Sequence, residues 1–228
     1  KKYNTEHTEL LVTIDDYLGA IDECALALEE PRSNKNVTAY YLLNKELARQ
    51  GITVTLSGDG GDEVLTGYKG HCRPSRMFGT LGFASYWDFD CIDKNTDIIE
   101  QDIFLKEYMK SWFPSDNFGN DALNNQLYFE TMLFLPEDFL IRNDKLGMNF
   151  SMEARFPFTT KKFKEYALSI PSKLKYKNNA TEAEIKAATN MKTIAREAYR
   201  GILPDSVTNK NKSGWSVSKE FLVGDKIK

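Results

Sequence analysis

The sequence predicts an α/β fold with a parallel sheet and a largely helical C-terminal half. A helical pattern, a β-branched strand (ITVTLSG, residues 52–58) and a glycine-rich turn follow one another in that order. In parallel α/β proteins this order places a ligand at the carboxyl end of the strand. At 228 residues, the chain is long enough for one domain with a sizeable core.

The composition is that of an ordinary water-soluble protein, with 41% hydrophobic and 28% charged residues. No apolar run approaches the roughly 20 residues of a membrane helix, and the first residues show no signal-peptide pattern. The net charge of -3, with scattered positive residues, argues against a nucleic-acid partner. Cys24, Cys72 and Cys91 do not have metal-binding spacing, so we expect free thiols in a cytoplasmic protein.

A short β-type run and two helices are predicted before the strand. Thr13 and Asp16 match a capping box, and apolar residues follow at helical spacing until Pro31. The elements are a β-type run over residues 7–13, a helix over residues 14–28, and a helix over residues 38–50 that ends at Gly51.

The region after the glycine-rich turn is predicted to be mostly helical. Turn-forming and aromatic residues without periodicity predict a loop over residues 70–95. Thr181 and Glu184 match another capping box, which predicts one long helix that runs to about Arg200. The other predicted helices cover residues 97–112, 121–141 and 161–169, and the polar stretch 208–221 is predicted to be a loop.

The loop of residues 57–63 (SGDGGDE) carries the strongest chemical signal. Its glycines allow the backbone to turn tightly and to bring N–H groups close to a ligand. Its carboxylates, Asp59, Asp62 and Glu63, repel one another unless a cation or a substrate ammonium group lies among them. Magnesium suits such a loop, because it takes one or two carboxylates and completes its shell with phosphate oxygens and water. The alternative is a solvated acidic turn.

This loop, followed by Gly67-Tyr68, resembles the signature loop of the asparagine synthetase family of the glutamine-hydrolysing type. Family members more often have Phe-Gly where this chain has Leu65-Thr66. A second stretch, LPEDFLIRNDKLGMNFSMEARFPF (residues 135–158), is similar to the family segment that ends in Ser-x-Glu-x-Arg-x-Pro-Phe. The matching residues there are Arg142, Asp144, Lys145, Glu153, Arg155 and Pro157.

The charged residues of this second stretch allow two interpretations. Arg142 and Lys145 are three positions apart on a predicted helix, so they can meet a phosphate or carboxylate together. For Asp144, Glu153 and Arg155 we favour an internal salt-bridge network that holds helices together.

A third stretch, MKTIAREAYRGILPDSVTNKNKSGWSV (residues 191–217), resembles the family's end segment with its Lys-x-Gly-aromatic loop. The matching residues are Lys192, Arg196, Glu197, Pro204, Lys212, Gly214 and Trp215. A lysine on such a loop can stabilise charge that moves onto a leaving group, and the alternative is a solvated lysine in a basic tail. With weaker matches near its start, the resemblance covers essentially the whole chain, residues 1–228.

The resemblance implies an adenine-nucleotide α-hydrolase-like parallel sheet, incomplete in this chain, and an ATP-dependent amidoligase. Aspartate would attack the α-phosphorus of ATP to give β-aspartyl-AMP and pyrophosphate. Ammonia, free or derived from glutamine, would then displace AMP and give asparagine. Mg2+ would neutralise the departing pyrophosphate.

The resemblance also implies roles for particular residues. Those expected to contact the nucleotide are Ser57, Gly58, Gly60 and Lys192. Asp62 is the expected magnesium ligand, and Asp59 is expected to position the substrate. Lys212 would stabilise the developing negative charge, with Arg142 as a second cation near the phosphates.

The family's upstream pyrophosphate loop, Ser-Gly-Gly-x-Asp-Ser, does not occur in these 228 residues, and neither does a glutaminase domain. We therefore expect an N-terminal segment or another chain to complete the site, and we expect this chain alone to be inactive. Two alternatives stay open. One is a related ligase that closes a β-lactam or isopeptide ring, which the acidic Asp59 disfavours. The other is a non-catalytic remnant of the fold.

Overall fold

The computed structural model describes residues 3–30, 32, 34–68, 71, 121–177, 179–187, 189–214 and 217. The predicted loop 70–95, apart from His71, and the predicted helix 97–112 lie outside the described residues, as do Cys72, Cys91 and Trp215. The chain divides into two compact units. Unit 1 comprises Lys1–Ser57, Glu137–Arg155 and Ser213–Lys228, and unit 2 comprises Gly58–Pro136 and Phe156–Lys212.

The described residues form a mixed α/β structure that is mostly helical. In chain order, the α-helices are α1 (Ile14–Gly19), α2 (Ile21–Leu28), α3 (Val37–Arg49), α4 (Gly61–Leu65), α5 (Ala122–Phe129), α6 (Ile141–Met148), α7 (Lys161–Ser169), α8 (Ser172–Lys175), α9 (Glu182–Ala187), α10 (Thr193–Ala198) and α11 (Asp205–Thr208). The strands are β1 (Val54–Leu56) and β2 (Glu153–Arg155). No helix in the described ranges is both long and apolar enough to cross a lipid bilayer.

The first helices of unit 1 confirm the predicted capping box. The Asp16 N–H donates to Thr13 Oγ1 at 3.2 Å, and the Thr13 N–H donates to Asp16 Oδ2 at 3.0 Å. The single helix predicted over residues 14–28 is instead two helices, α1 and α2, which meet at Ala20. The strand predicted over residues 7–13 is wrong: these residues pair with no strand in the described part of the chain, and Leu11 is exposed.

Helices α2, α3 and α6 form the core of unit 1. Its buried side chains are Ala20, Cys24, Leu28, Val37, Tyr41 and Leu146. Cys24 is a buried free thiol, as predicted for this cysteine. The helix predicted over residues 38–50 is confirmed as α3, and Gly51 follows it with a φ of 78°, the left-handed backbone that glycine adopts readily.

The predicted strand before the glycine-rich loop is confirmed as β1, which pairs in parallel with β2 within unit 1. Thr55 faces Ala154 in this register. Val54 is 43% exposed and Leu56 is 75% exposed, so the face of β1 that carries these two side chains is open, while Thr55 on the other face is half-buried. Glu153 and Arg155, predicted to hold helices together, instead pair with each other along β2 at 2.9 Å and remain solvent-exposed.

A continuous helical run over residues 122–148 replaces the helix predicted over residues 121–141. It begins as α5, widens into a π-helical segment, Glu130–Leu140, and ends as α6. Pro136 lies inside the π-helical segment. Because proline cannot donate a backbone hydrogen bond and crowds the preceding turn, a change of winding is expected at such a residue. The proline therefore alters the helix without ending it.

Unit 2 packs short helices around α4 and α5. Val64, Leu65 and Ala167 form one buried cluster, and Leu123, Leu127 and Leu168 form another. The helix predicted over residues 161–169 is confirmed as α7.

The long helix predicted from Thr181 to about residue 200 is wrong, because α9 and α10 are separate helices. Between α9 and α10, Met191 forms an antiparallel β-bridge with Tyr176, and Lys192 has a left-handed φ of 53°. Neither conformation is compatible with a continuous helix.

Candidate active site

Glycines shape the loop that leads into α4. Gly60 is the N-cap of α4 and has a φ of 88°, a backbone angle that residues other than glycine rarely adopt. A Cβ at Gly60 would also lie 2.7 Å from Thr159 Cγ2. The loop can therefore turn into α4 here only with glycine, and Asp62 and Glu63 lie in the first turn of the helix.

The structure separates the carboxylates of the acidic loop and gives two of them different partners. Glu63 points into unit 2, where it is 3% exposed. Asp62 contacts two lysines, and Asp59 lies at a half-buried position between Gly58 and Gly60. The loop is thus neither a solvated acidic turn nor a cluster of three adjacent carboxylates.

Asp62 is held by Lys192 and Lys212, two of the lysines that the sequence assigned to the site. The Lys212 ammonium group donates to Asp62 Oδ2 at 2.6 Å, and Lys192 forms an ion pair with Oδ1. Burial alone would raise the pKa of Asp62, but the two lysines outweigh it and hold the pKa below its usual range. Two ammonium groups against one carboxylate leave a local excess of positive charge.

Thr66 fixes the backbone that carries Lys192. Thr66 is fully buried and has a left-handed φ of 64°, a conformation unusual for a β-branched residue. Its hydroxyl donates to the Lys175 carbonyl at 2.8 Å and accepts the Lys192 N–H at 3.4 Å. These bonds offset the backbone strain. Thr66 therefore links the acidic loop to Lys192.

Gly67 has a role that the sequence did not reveal. A Cβ built on Gly67 would lie 1.6 Å from Asp62 Oδ1, so the Asp62 carboxylate occupies the space that any side chain would need. The Gly67 N–H also donates to the Asp62 carbonyl at 2.9 Å. A glycine at position 67 is thus required for Asp62 to face its two lysines.

Sequence reasoning also missed a buried polar network beside this cluster. The Tyr68 hydroxyl donates to Glu63 at 2.5 Å, His71 Nε2 lies 2.8 Å from Glu130 Oε2, and Gln126 Nε2 donates to Glu130 Oε1 at 2.9 Å. Burial, with the charges of Asp62 and Glu130, raises the pKa of Glu63 against the opposing effect of the Tyr68 hydrogen bond. The one available signal was the four-residue spacing of Gln126 and Glu130 on a helix.

The remaining predicted nucleotide contacts belong to the strand–loop junction. The Ser57 N–H donates to the Arg155 carbonyl at 2.9 Å, which extends the β1–β2 pairing by one residue. A Cβ on Gly58 would meet nothing within 4 Å, so Gly58 faces open space in unit 2.

Arg142 lies in unit 1, where it is 2% exposed. Its guanidinium carbon lies 4.8 Å from the centre of the Tyr40 ring and 4.9 Å from that of Phe139. Asp138 Oδ2 lies 3.8 Å from Arg142 Nη1, and Arg142 Nε has no hydrogen-bond partner among the described residues. Lys145, three positions later, instead donates to the Leu28 carbonyl at 2.9 Å.

The donor set around Asp62 fits phosphate better than a metal held by protein alone. Two ammonium groups suit phosphate oxygens. The described part of the chain contains no cluster of three or more His, Cys, Asp or Glu residues that could hold a metal ion. Asp62 offers a single carboxylate, which fits magnesium only where phosphate oxygens and water complete the shell.

Comparison with known proteins identifies the family. A family model described as Asparagine synthase matches residues 1–225. Among similar proteins, Asparagine synthetase [glutamine-hydrolyzing] 1 of Bacillus subtilis (strain 168) is 26% identical over 93% of this chain and 38% of its own length. Asparagine synthetase [glutamine-hydrolyzing] 3 of the same organism is 25% identical over 92% of this chain and 34% of its own length. The chain thus spans little more than a third of these relatives.

A shorter match of higher identity covers a third of this chain and 14% of the relative's own length. Putative asparagine synthetase [glutamine-hydrolyzing] 2 of Methanocaldococcus jannaschii is 36% identical over 75 residues, 33% of this chain. The family match covers nearly every residue, including the loop of Asp62 and the segments of Lys192 and Lys212. The chain belongs to the asparagine synthase family.

Proposed function

We propose that this chain forms part of an ATP-dependent amidoligase that converts aspartate to asparagine. Aspartate would attack the α-phosphorus of ATP, with β-aspartyl-AMP and pyrophosphate as products, and ammonia would then displace AMP. The observation that carries the proposal is the pairing of Asp62 with Lys192 and Lys212. The full-length relatives that it matches are named asparagine synthetases.

The charges of this cluster suit a reaction that releases pyrophosphate. Negative charge grows on the β-phosphate as the bond between the α- and β-phosphates breaks. Lys212 and Lys192 would turn from Asp62 to the phosphate oxygens and stabilise that charge. Asp62, released from its lysines, would supply one carboxylate to magnesium, which when bound would neutralise further phosphate charge.

The other assigned residues complete the proposed site. Ser57, Gly58 and Gly60 would present backbone groups to the nucleotide at the carboxyl end of β1. Asp59 would position the substrate aspartate. We propose that Arg142 is a second cation near the phosphates. Its Nε has no hydrogen-bond partner in the described residues and could donate to a ligand.

We further propose that strands from an upstream segment complete an adenine-nucleotide α-hydrolase-like sheet. Parallel strands are normally buried on both faces, whereas the face of β1 that carries Val54 and Leu56 is exposed. Additional strands on this sheet would bury Leu56 and bring the pyrophosphate loop of the family to the site. On this proposal the 228-residue chain by itself has no ligase activity.

The proposal is tested by measuring aspartate-dependent pyrophosphate release and asparagine formation from ATP in the natural full-length protein, with ammonia or glutamine. We expect Lys212→Met to lower turnover by about 100-fold or more, because it removes the cation nearest the departing charge. The matched control is Lys210→Met, an exposed lysine two positions earlier on the same loop, which should keep turnover.

Other results would point elsewhere. Unchanged turnover in Lys212→Met would remove Lys212 from the site. Pyrophosphate release with a different carboxylic acid, but not with aspartate, would favour a ring-closing relative. Failure of the full-length protein to bind ATP or release pyrophosphate under any of these conditions would favour a non-catalytic member of the family.

A further inference from the structure

We infer that Tyr68 is a positioning residue for Lys212, held in place by Glu63 and His71. The Tyr68 ring supports the Lys212 ammonium group from one side while Asp62 binds it directly. The inference rests on the proposed function for the catalytic meaning of Lys212, but its structural part stands on contacts alone. Neither the motif matches nor the charge pattern of the sequence assigned Tyr68 a role.

The Lys212 ammonium group has two fixed contacts. Its Nζ lies 2.6 Å from Asp62 Oδ2 and 5.3 Å from the centre of the Tyr68 ring. A cation over an aromatic face is attracted by the electrons of the ring, more strongly where water is partly excluded. A lysine side chain has four rotatable bonds, so a single hydrogen bond would leave much of its freedom. The second contact limits the directions that Nζ can take.

Glu63 fixes the far end of the Tyr68 ring. The Tyr68 hydroxyl donates to Glu63 Oε1 at 2.5 Å, and Glu63 is almost completely buried. Glu63 follows Asp62 directly in the first turn of α4. The carboxylate that binds the ammonium group and the carboxylate that holds the ring are therefore set by the same helical turn.

His71 fixes the near end of Tyr68. The Tyr68 backbone N–H donates to His71 Nδ1 at 3.3 Å, so Nδ1 must be unprotonated. The ring proton is then on Nε2, which donates to Glu130 Oε2 at 2.8 Å. The two rings also meet edge to face, with centroids 5.3 Å apart. Through these two contacts the His71 ring anchors the Tyr68 backbone to the buried Glu130.

Unit 1 contains a matched control for this arrangement. The Tyr41 hydroxyl donates to Glu23 at 2.9 Å, and Lys45 Nζ lies 3.0 Å from the same carboxylate and 5.8 Å from the centre of the Tyr41 ring. The residue types are the same as at Tyr68, except that Lys45 shares the carboxylate of its tyrosine whereas Lys212 binds Asp62, and none of the Tyr41 group is proposed for the site. A substitution at Tyr41 therefore reports the general effect of losing a tyrosine–glutamate–lysine contact.

The test compares Tyr68→Leu, Tyr68→Phe and Tyr41→Leu in the natural full-length protein. We expect Tyr68→Leu to lower kcat for pyrophosphate release by about 10-fold and to change KM for ATP by less than about threefold, because a misplaced lysine mainly loses transition-state contact. Tyr68→Phe keeps the ring but loses its anchor, so a smaller loss is expected. Tyr41→Leu should leave both constants unchanged.

A second readout does not depend on activity. Lysine acylation, quantified by mass spectrometry at one pH, measures how freely the Lys212 amine reacts, with the exposed Lys162 as internal reference. We expect the ratio of Lys212 to Lys162 labelling to rise at least about twofold in both Tyr68 variants, since the amine is less confined. It should not change in Tyr41→Leu.

Each outcome decides the inference. Wild-type kcat together with wild-type Lys212 labelling in Tyr68→Leu would overturn it. If Tyr68→Leu does not fold, as judged by Tm, Tyr68→Phe takes its place, and unchanged Lys212 labelling there would overturn it equally. If the wild-type protein releases no pyrophosphate, the proposed function fails, while the labelling comparison still decides whether Tyr68 positions Lys212.

Discussion

At the scale of single residues, the site depends on contacts between positions far apart in the chain. Lys212 and Asp62 are 150 positions apart, and His71 and Glu130 are 59 positions apart. Motif matching supplied Asp62, Lys192 and Lys212 as candidates, because each lies in a recognisable local pattern. It could not supply the pairing of these charges, nor the network of Tyr68 and His71, because no local periodicity encodes such contacts.

Gly67 gives a residue-scale prediction. In Gly67→Ala the new Cβ would overlap the Asp62 carboxylate, so Asp62 must leave its lysines or the loop must shift. We expect a loss of about 1–3 kcal/mol in the free energy of unfolding, as for other overpacked sites. We also expect pyrophosphate release to fall by more than about tenfold, measured beside the thermal unfolding curve.

Gly58→Ala is the folding control for this substitution. It adds the same methyl group to the same loop, where it meets nothing within 4 Å. Its unfolding free energy should stay within about 0.5 kcal/mol of wild type. If Gly67→Ala had the same stability and turnover as wild type, the loop could accommodate a Cβ at position 67, and the overlap with Asp62 would be contradicted.

At the scale of elements, the sequence predicted contacts within one helical turn but not the pairing of distant segments. The capping boxes at Thr13 and Thr181 were predictable because both partners lie within one turn. The strand at residues 7–13 was predicted from composition alone, and it failed because a strand requires a neighbour that composition does not reveal. The break between α9 and α10 was missed because it depends on the bridge between Met191 and Tyr176.

The capping box of α9 gives an element-scale prediction with a defined pH dependence. Hydrogen bonds from Lys177 and Thr181 lower the pKa of Glu184 to about 2, from an ordinary 4.5. A carboxyl group whose pKa is lower in the folded than in the unfolded state stabilises the folded state. This stabilisation is complete above the unfolded-state pKa and is lost as pH falls towards the folded-state pKa. The Tm difference between wild type and Glu184→Gln should therefore be largest near neutral pH and shrink steadily between pH values of about 5 and 2.

Glu182→Gln is the matched control on the same helix. Glu182 also lies in the first turn of α9, but the capping bonds are made by Glu184. The pH-dependent difference should be clearly smaller for Glu182→Gln. A Glu184→Gln difference that stays constant from neutral pH to about pH 2 would show that the capping bonds do not contribute through the charge.

At the scale of the whole molecule, the sequence predicted an α/β fold with a parallel sheet, and the described residues form a mixed α/β structure with a parallel sheet of two strands. The two-unit division was not predictable, because unit 1 combines segments from three parts of the sequence. Hydrophobic periodicity identifies which side of a helix is apolar, but it does not say which distant segment covers that side.

The open sheet gives a prediction for the whole protein. Leu56→Lys places a charge at a strand residue that is 75% exposed in this chain. In the 228-residue chain it should leave Tm nearly unchanged and reduce self-association. In the natural full-length protein it should lower Tm by several degrees, because a charge would be buried where further strands pack.

Ile202→Lys is the control for this experiment, since Ile202 is 64% exposed in unit 2. Ile202→Lys should change Tm by about the same amount in the 228-residue chain and in the full-length protein. If Leu56→Lys also changes Tm equally in the two proteins, the proposed upstream strands do not cover β1.

The pairing of Asp62 with Lys212 also has a consequence for the order of events during biosynthesis. Closing a contact between residues 150 positions apart is entropically slow and requires both ends of unit 2 to have left the ribosome. Until then, Asp62 lacks one of its two counter-charges. The nascent chain therefore acquires its compensated carboxylate only after Lys212 has emerged from the ribosome, and a chain whose synthesis stops earlier keeps an unfinished charge cluster.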